Sequence, residues 1–331
     1  MAVKVHMRKI VITGGCGYIG SHVARAFKQN GDTVFVIDRV GRAHTLTGKN
    51  VDGYLIEDFA SDQALAMIHM IQPDLVVHCA GTSLVAPSMS NPAEYYDNNI
   101  AKTIQLLNVV KDNSKRPAVM FSSSASVYGD PGSLPLVEDD PVKPISPYGN
   151  TKAMTEMILR DYWGAYALQS MCFRYFNAAG AEPVGFDLGQ EAGASHIIAR
   201  ALESLINQTQ FTLNGVDYDT SDGTAVRDYV HVWDIARAHV LGASFLLDDY
   251  PQLGAYCFNL STGRGTSNLE IINYITARYG KMEEMAQGPR RHGDPAQLYA
   301  DAGKARRQLH WEPLYSDIAT IIDSAYKWYT K

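Results

Sequence analysis

The sequence predicts a doubly wound α/β protein with a second, smaller region built from its C-terminal part. Three observations carry this. Short β-branched runs alternate with longer helical patterns through the first half of the chain, as in βαβ units around a parallel sheet. The strand runs are almost unbroken in apolar residues, as expected of strands covered on both faces. After about Asn177 the alternation gives way to glycines, prolines and polar turns.

The elements follow in order. Lys9–Thr13 is a continuous apolar strand, and Ile19–Gln29 has helical spacing that ends near Gly31. Thr33–Ile37 is a second strand closed by Asp38, and Asp74–His78 is a third clear one. A helix is predicted over Tyr95–Val110 from Ile100, Ile104, Leu107 and Val110. Ala118–Phe121 is a strand running into Ser122, Ser123 and Ser124. Tyr148–Tyr162 is again helical, and Gln169–Tyr175 is a strand. Further helices are predicted at His196–Asn207, Trp233–Leu247, Leu269–Tyr279 and Ser316–Tyr329. The stretch from Asp234 to Asn259 is expected to return to the large sheet, so the two regions interleave. The first domain is therefore taken as 1–177 with 233–260, and the second, a mixed α/β substrate domain, as 178–232 with 261–331.

Composition narrows the function classes. The 331 residues are 46% hydrophobic and 19% charged, ordinary globular usage that excludes disorder and collagen-like structure. A net charge of −6 gives no reason to expect nucleic-acid binding. Cys16, Cys79, Cys172 and Cys257 are scattered, with no metal-ligand spacing. They read as buried thiols in a reducing compartment, and no metal is expected. No run reaches the length of a membrane span. Met1 to Arg8 has no apolar stretch of signal-peptide length and reads as a short leader, which places the protein in the cytoplasm by default.

The first strand leads directly into Gly14-x-x-Gly17-x-x-Gly20, and a helix follows. Such a loop turns tightly, lets the backbone approach a pyrophosphate and aims a helix N-terminus at the anion. This marks the domain as Rossmann-type. Asp38 stands 18 residues after Gly20, where a carboxylate bonds the adenosine ribose hydroxyls and repels a 2′-phosphate; NAD is thus favoured over NADP, although Arg39 follows. Asp58 and Phe59, at the end of a short strand, are placed beside the adenine.

Tyr148 and Lys152 form a Tyr-x-x-x-Lys pair on one helical face. The ammonium is expected to favour the phenolate and lower the tyrosine pKa, giving a general base. Alone this pair is common. It gains weight from Ser122–Ser124 at the end of a parallel strand, the side on which ligands bind.

Together these motifs resemble the extended short-chain dehydrogenase/reductase superfamily. Longer strings narrow the resemblance to its UDP-glucose 4-epimerases: Tyr-Tyr-Asp-Asn-Asn over 95–99, Phe-Ser-Ser-Ser-Ala over 121–125, Val-Tyr-Gly over 127–129, Arg-Tyr-Phe-Asn over 174–177, Asp-Gly-Thr-Ala-Val-Arg-Asp-Tyr-Val-His over 222–231 and Pro-Arg-Arg-His-Gly-Asp over 289–294. The resemblance implies 4-epimerisation of a UDP-hexose, UDP-galactose to UDP-glucose, by transient oxidation at C4 and return of the hydride to the other face. It implies that Tyr148 is the base, that Lys152 tunes it and holds the nicotinamide ribose, and that Ser124 shares the substrate oxygen. Cofactor contacts are implied for Gly14, Gly17, Tyr18, Ile19, Gly20, Asp38, Asp58, Phe59, Cys79, Ala80, Gly81, Asn98, Ser122, Tyr148, Lys152 and Tyr175. Substrate contacts are implied for Ser124, Tyr148, Asn177, His196, Arg227, Arg291, Asp294 and Leu298, with the two arginines on the diphosphate and Asp294 near the uridine ribose. A homodimer is implied as well.

The sequence also departs from the family. Arg39-Val40 follows Asp38 where many epimerases have Asn, and Ser83 replaces a lysine. Leu298 stands at a position where a tyrosine excludes N-acetyl sugars and a small residue admits them, which leaves UDP-N-acetylhexosamines open, as are UDP-pentoses and UDP-uronates. A 4,6-dehydratase or decarboxylase is disfavoured because Ala125-Ser126 offers no carboxylate. A non-catalytic NAD-sensing module is disfavoured by the intact Tyr148 and Lys152. An NADP-linked carbonyl reductase is disfavoured by Asp38. His78 and His231 sit in apolar strands and read as core histidines.

Overall fold

The computed structural model describes residues 7–248, 253–282, 284–291 and 293–331. Residues 1–6 of the N-terminal leader, 249–252, Glu283 and His292 of the 289–294 string lie outside them.

The strands are β1 Lys9–Thr13, β2 Thr33–Asp38, β3 Gly53–Ile56, β4 Leu75–His78, β5 Ala118–Ser124, β6 Ser170–Tyr175, β7 Asn177–Ala179, β8 Phe211–Asn214, β9 Val226–Arg227, β10 Tyr229–His231, β11 Ala255–Leu260, β12 Thr266–Ser267, β13 Met285–Gly288 and β14 Gln297–Leu298. The helices are α1 Tyr18–Gln29, α2 Asp62–Ile71, α3 Val85–Ser90, α4 Pro92–Tyr96, α5 Lys102–Lys111, α6 Pro147–Tyr166, α7 Ile197–Asn207, α8 Val232–Leu247, α9 Asn268–Tyr279, α10 Gly303–Leu309 and α11 Ile318–Tyr329.

Seven strands form one sheet in the order β11-β6-β5-β4-β1-β2-β3, every pairing parallel. The fold is thus the doubly wound α/β class that the sequence predicts. Alternate strand residues feed two cores. Ile10 and Ile12 pack with α1 and α8, and Val11 packs with α2, α5 and α6 on the other face. The strand order reverses between β1 and β4, so their C-terminal ends open the crevice where ligands bind in such sheets. β11 joins the sheet beside β6, with Cys257 opposite Cys172.

The C-terminal part builds small sheets over these strand ends: β7 with β10, β8 with β13, and β12-β9-β14. A third core of Ile198, Leu202, Leu205, Ile271, Ile275, Ile321 and Ile322 holds α7, α9 and α11 together. Among the described residues no helix is long and apolar enough to cross a membrane. Cys16 and Cys172 are buried, whereas Cys79 and Cys257 are partly exposed, because both lie toward cleft or sheet edges rather than inside the cores.

One predicted helix is interrupted. Between α4 and α5 the residues Asp97–Ala101 form a π-helical turn, so Tyr95–Val110 is not one continuous α-helix. Asn98 and Asn99, both buried, lie on this wider turn.

Burial keeps four imidazoles neutral. His22 and His239 are held down at about 4, and His78 and His231 at about 3, each chiefly by desolvation. An unfolded chain binds protons at these sites below about pH 6.5. The folded chain does not, so each site destabilises the fold as pH falls from there toward 4. Asp228, pushed up to about 6 by burial, acts in the opposite sense. NMR titration is expected to show these four rings unprotonated at pH 5; a normal titration near 6.5 contradicts their burial.

Candidate active site

The floor of the crevice is the glycine loop. Gly14 has φ +72°, and a Cβ there would stand 2.6 Å from the Ala80 backbone nitrogen at the end of β4. A Cβ on Gly20 would collide with the Gly14 carbonyl, so both glycines are required by close backbone approach. Gly17 caps α1 without a side-chain hydrogen bond, and no acidic residue lies in the first turn. The N-terminal N–H groups of α1 are thus left for an anion. The Asp38 carboxylate accepts from the Cys16 N–H at 2.9 Å and the Val40 N–H at 3.0 Å, and Arg42 donates to the Cys16 carbonyl at 2.8 Å.

Above the loop, Asn98 donates to Thr82 Oγ1 at 2.9 Å, while its own Oδ1 is buried without a partner among the described residues. Asn99 accepts from the Thr82 N–H at 2.8 Å and donates to the Thr82 carbonyl and to Thr151 Oγ1, fastening the Gly81-Thr82 turn to α6.

Helix α6 brings in the reactive groups. Ser146 caps it through the Gly149 N–H, and Pro147 occupies the first turn, where its missing N–H costs nothing. The Lys152 ammonium donates to the Ser122 carbonyl at 2.7 Å and lies 4.7 Å from the Phe121 ring centre and 5.7 Å from that of Tyr148. Desolvation lowers Lys152 to about 8, against Cys79, Cys172 and Glu156, which raise it. The expected lowering of Tyr148 is not found. Burial raises the phenol above its usual value, Tyr95 adds to the rise, and only Ser124 pulls it down. The physical reason is that the Lys152 ammonium is spent on the Ser122 carbonyl, while the phenol sits 8% exposed among apolar groups. Ser124 Oγ in turn donates to Ser126 Oγ and accepts the Ser126 N–H, both at 3.1 Å.

The opposite wall comes from the C-terminal part. β9 carries Arg227, paired in register with Leu298 of β14. Arg227 donates to the Val226 carbonyl at 2.9 Å and stands 3.8 Å from Asp294. Asp228, fully buried, accepts from Thr262 and Gly263 and fixes this strand. Arg291 donates to the Ser195 carbonyl at 3.1 Å. His196 caps α7 without a side-chain bond to it; its ring instead meets Gln190 at 2.7 Å, and burial together with Arg291 lowers its pKa.

These walls enclose one cleft of about 1000 Å³. It is lined by Gly14, Gly17, Tyr18, Ile19, Gly20, Asp38, Phe59, Cys79, Ala80, Gly81, Asn98, Ser122, Tyr148, Lys152 and Tyr175 on one side. Ser124, at the end of β5, lines it beside Tyr148, and Asn177, His196, Arg227, Arg291, Asp294 and Leu298 line the other. Asp58 adjoins the cleft-lining Phe59, its carboxylate held by Lys102 at 2.7 Å and capping the Ala60 N–H. A side chamber continues past Arg227 to Thr212, Leu213 and Tyr218, which no sequence signal selects. Gln190 was likewise unmarked. Asn99 lay inside the 95–99 string without a role of its own.

A parallel sheet with a glycine loop at its switch point and a Tyr/Lys/Ser cluster facing paired arginines defines a dinucleotide-binding α/β protein with an adjoining anion site. The comparisons give the family. The chain belongs to the NAD dependent epimerase/dehydratase family, whose model matches residues 10–246. It is 39% identical over 324 residues to a UDP-glucose 4-epimerase of Halalkalibacterium halodurans, covering 97% of this chain and 95% of that one. The crystal structure of UDP-glucose 4-epimerase from Brucella ovis in complex with NAD superposes with a TM-score of 0.89 at 38% identity, covering 97% of this chain and 98% of that one. That of the Bifidobacterium longum enzyme in complex with NAD+ and UDP gives 0.87 at 35%, with the same coverage.

The residues fit a dinucleotide. Two features would each be costly without one, an uncapped helix start and the buried unpartnered Asn98 Oδ1, while the glycines keep side chains off the loop.

Proposed function

We propose that the chain catalyses NAD-dependent 4-epimerisation of a UDP-hexose, interconverting UDP-galactose and UDP-glucose. The observation that carries this is the meeting of Ser124, Tyr148 and Lys152 in one cleft with the glycine loop on one side and Arg227 and Arg291 on the other. NAD lies along Gly14–Gly20, Asp38, Cys79–Gly81 and Asn98, with Asp58 and Phe59 beside the adenine. Bound NAD supplies the reversible oxidation at the sugar C4. Tyr148 removes and returns the proton of the 4-hydroxyl, and Ser124 holds the same oxygen. Lys152 anchors the cofactor ribose and keeps positive charge beside the phenol. Its ammonium is present below about pH 8 and lost above it, so activity falls on the alkaline side.

Arg227 and Arg291 grip the diphosphate, geometry that suits guanidinium forks. His196 and the free N-terminus of α7 stand beside them. Asp294 meets the uridine ribose, and Asn177 the sugar. This division of labour supports a catalytic and cofactor domain of 1–177 with 233–260 and a UDP-sugar domain of 178–232 with 261–331.

Leu298, 8% exposed in the sugar wall, favours a second reading, activity on UDP-N-acetylhexosamines, because it is neither a bulky aromatic nor a minimal side chain. Met154 and Met157, exposed one turn apart on α6, support a homodimer joined along this helix. The enzyme works in the cytoplasm.

The test is incubation with UDP-galactose and NAD without an external reductant, assaying UDP-glucose. Conversion is expected. Binding of NAD without conversion transfers the reading to UDP-N-acetylglucosamine, tried next; no binding of NAD overturns the enzyme reading.

A further inference from the structure

A chain of buried polar groups lies directly beneath the reactive trio, and the mechanism above gives it no role. Glu156 sits on α6 one turn after Lys152 and two turns after Tyr148, on the same stripe of the helix. Its Oε1 accepts from Ser123 Oγ at 2.5 Å, and Ser123 stands between Ser122, whose carbonyl takes Lys152, and Ser124. Arg174, opposite Ser123 in the β5–β6 register, grips the same carboxylate with both arms of its guanidinium, Nε to Oε1 at 3.0 Å and Nη2 to Oε2 at 2.7 Å. The remaining arm donates to the Tyr128 hydroxyl at 2.7 Å and the Glu138 carbonyl at 3.1 Å. Tyr128 donates to Asn259 Oδ1 at 2.7 Å, and the Asn259 N–H donates to Glu138 Oε1 at 2.8 Å. One network therefore joins α6, β5, β6, the turn after Ser124 and β11.

Stability does not explain such a choice. A buried ion pair is often matched or bettered by apolar side chains of similar volume, because its desolvation cost offsets the attraction. Specification of geometry does explain it. We infer that Glu156, clamped by Arg174, is a positioning residue: through Ser123 it sets the register of β5 against α6 in which Ser124, Tyr148 and Lys152 meet.

The proposal rests on the reading of that trio as the reactive centre. It has an electrostatic side as well. The groups acting on the Lys152 ammonium are Cys79 from the end of β4, Cys172 from β6 and Glu156 on its own helix; His78 on β4 feels its charge, and the rings of Phe121 and Tyr148 lie against it. Glu156 is the one carboxylate among them, and it favours the charged form.

Two paired variants separate register from charge without leaving Arg174 unpaired: Glu156→Met with Arg174→Met, and Glu156→Gln with Arg174→Met, which keeps an acceptor for Ser123. The first is expected to keep KM for UDP-galactose while kcat drops about 10- to 100-fold, the scale of a lost near-attack alignment. The second is expected to recover kcat to within a few-fold. In both, the alkaline limb of kcat moves to lower pH, because the carboxylate that favoured the ammonium is gone.

A substrate-free readout accompanies these. The ultraviolet difference spectrum against the same protein carrying Tyr148→Phe follows the phenol itself. Loss of register takes Ser124 off the phenol, so the Tyr148 titration moves up in the Met/Met variant and returns in the Gln/Met variant. Ser123→Ala, which disturbs no charge, is expected to move it the same way if the paired variants fold poorly. A Tyr148 titration and a kcat unchanged in folded Met/Met and Ser123→Ala proteins overturn the proposal. A shifted titration in a protein that converts no UDP-sugar leaves the positioning role standing and overturns the substrate reading alone.

Discussion

Replacing Tyr148 by Phe is expected to lower kcat for UDP-galactose by about 10²- to 10⁴-fold, the usual contribution of a positioned general base. KM and the unfolding midpoint are expected to stay near those of the parent. The phenol hydroxyl meets Ser124 and makes no bond that holds the fold, and the ring of a phenylalanine fills the same space beside Tyr95 and Lys152. The expected split follows from where the oxygen acts. In the proposed reading it meets the reacting hydroxyl, whereas Arg227 and Arg291, which supply the affinity, line the far wall. A variant with full kcat removes Tyr148 from the mechanism. A variant whose KM rises while kcat holds makes Tyr148 a binding residue.

The high intrinsic pKa of Tyr148 sharpens this expectation. In the protein alone, burial disfavours both the phenolate and the Lys152 ammonium, in opposite directions of pH. Tyr148 acts as a base only as the phenolate, so the pull of Ser124 and the charge of Lys152 must work against its burial. The sequence pattern predicted an activating ammonium because Tyr-x-x-x-Lys fixes only that two side chains share a helix face. It carries no information about where Lys152 spends its charge, which depends on the Ser122 carbonyl of a strand 30 residues away.

That contrast explains which parts of the molecule were legible. Periodicity is local, so strands such as Lys9–Thr13 and helices such as Ile197–Asn207 could be read within a residue or so of their ends. The glycine loop was legible because Gly14 and Gly20 are demanded by backbone approach, a constraint that leaves a mark in residue type. The π-helical turn at Asp97–Ala101 was not legible, since the flanking apolar residues keep helical spacing on either side of it. The partner of Asp58 was not legible either, because strand-end position does not reveal that Lys102 pairs with the carboxylate. Thr212, Leu213 and Tyr218 reach the cleft only through the pairing of β8 with β13 and the turn that follows, contacts between distant segments. Glu156 and Arg174 belong to the same class: each looks like an ordinary charged residue until β5 and β6 align in register.

The glycine loop gives the other large effect. Gly20→Ala adds one methyl group at a point where the nearest atoms are the carbonyl oxygen and carbon of Gly14, both backbone. No side chain can rotate away, so α1 must move back from β1 or the loop must open. Overpacking of this kind costs about 1–3 kcal/mol, a large share of the stability of an ordinary domain. The functional loss is expected to be larger still. Opening the loop withdraws the first-turn N–H groups of α1 from the anion they would meet, and Gly17 provides no side chain to replace them. The expected result is a folded protein with a lower unfolding midpoint that neither gains thermal stability from added NAD nor retains it on gel filtration. The parent protein is expected to do both, since a ligand that binds only the native state raises its stability in proportion to the logarithm of its concentration. Ala at Gly48 is the control: nothing lies within 4 Å of a Cβ there, so NAD binding is expected to be unchanged. A Gly20→Ala protein that binds NAD like the parent would show that the pyrophosphate does not sit on this loop, and with it the cofactor assignment of Gly14 through Gly20 would fall.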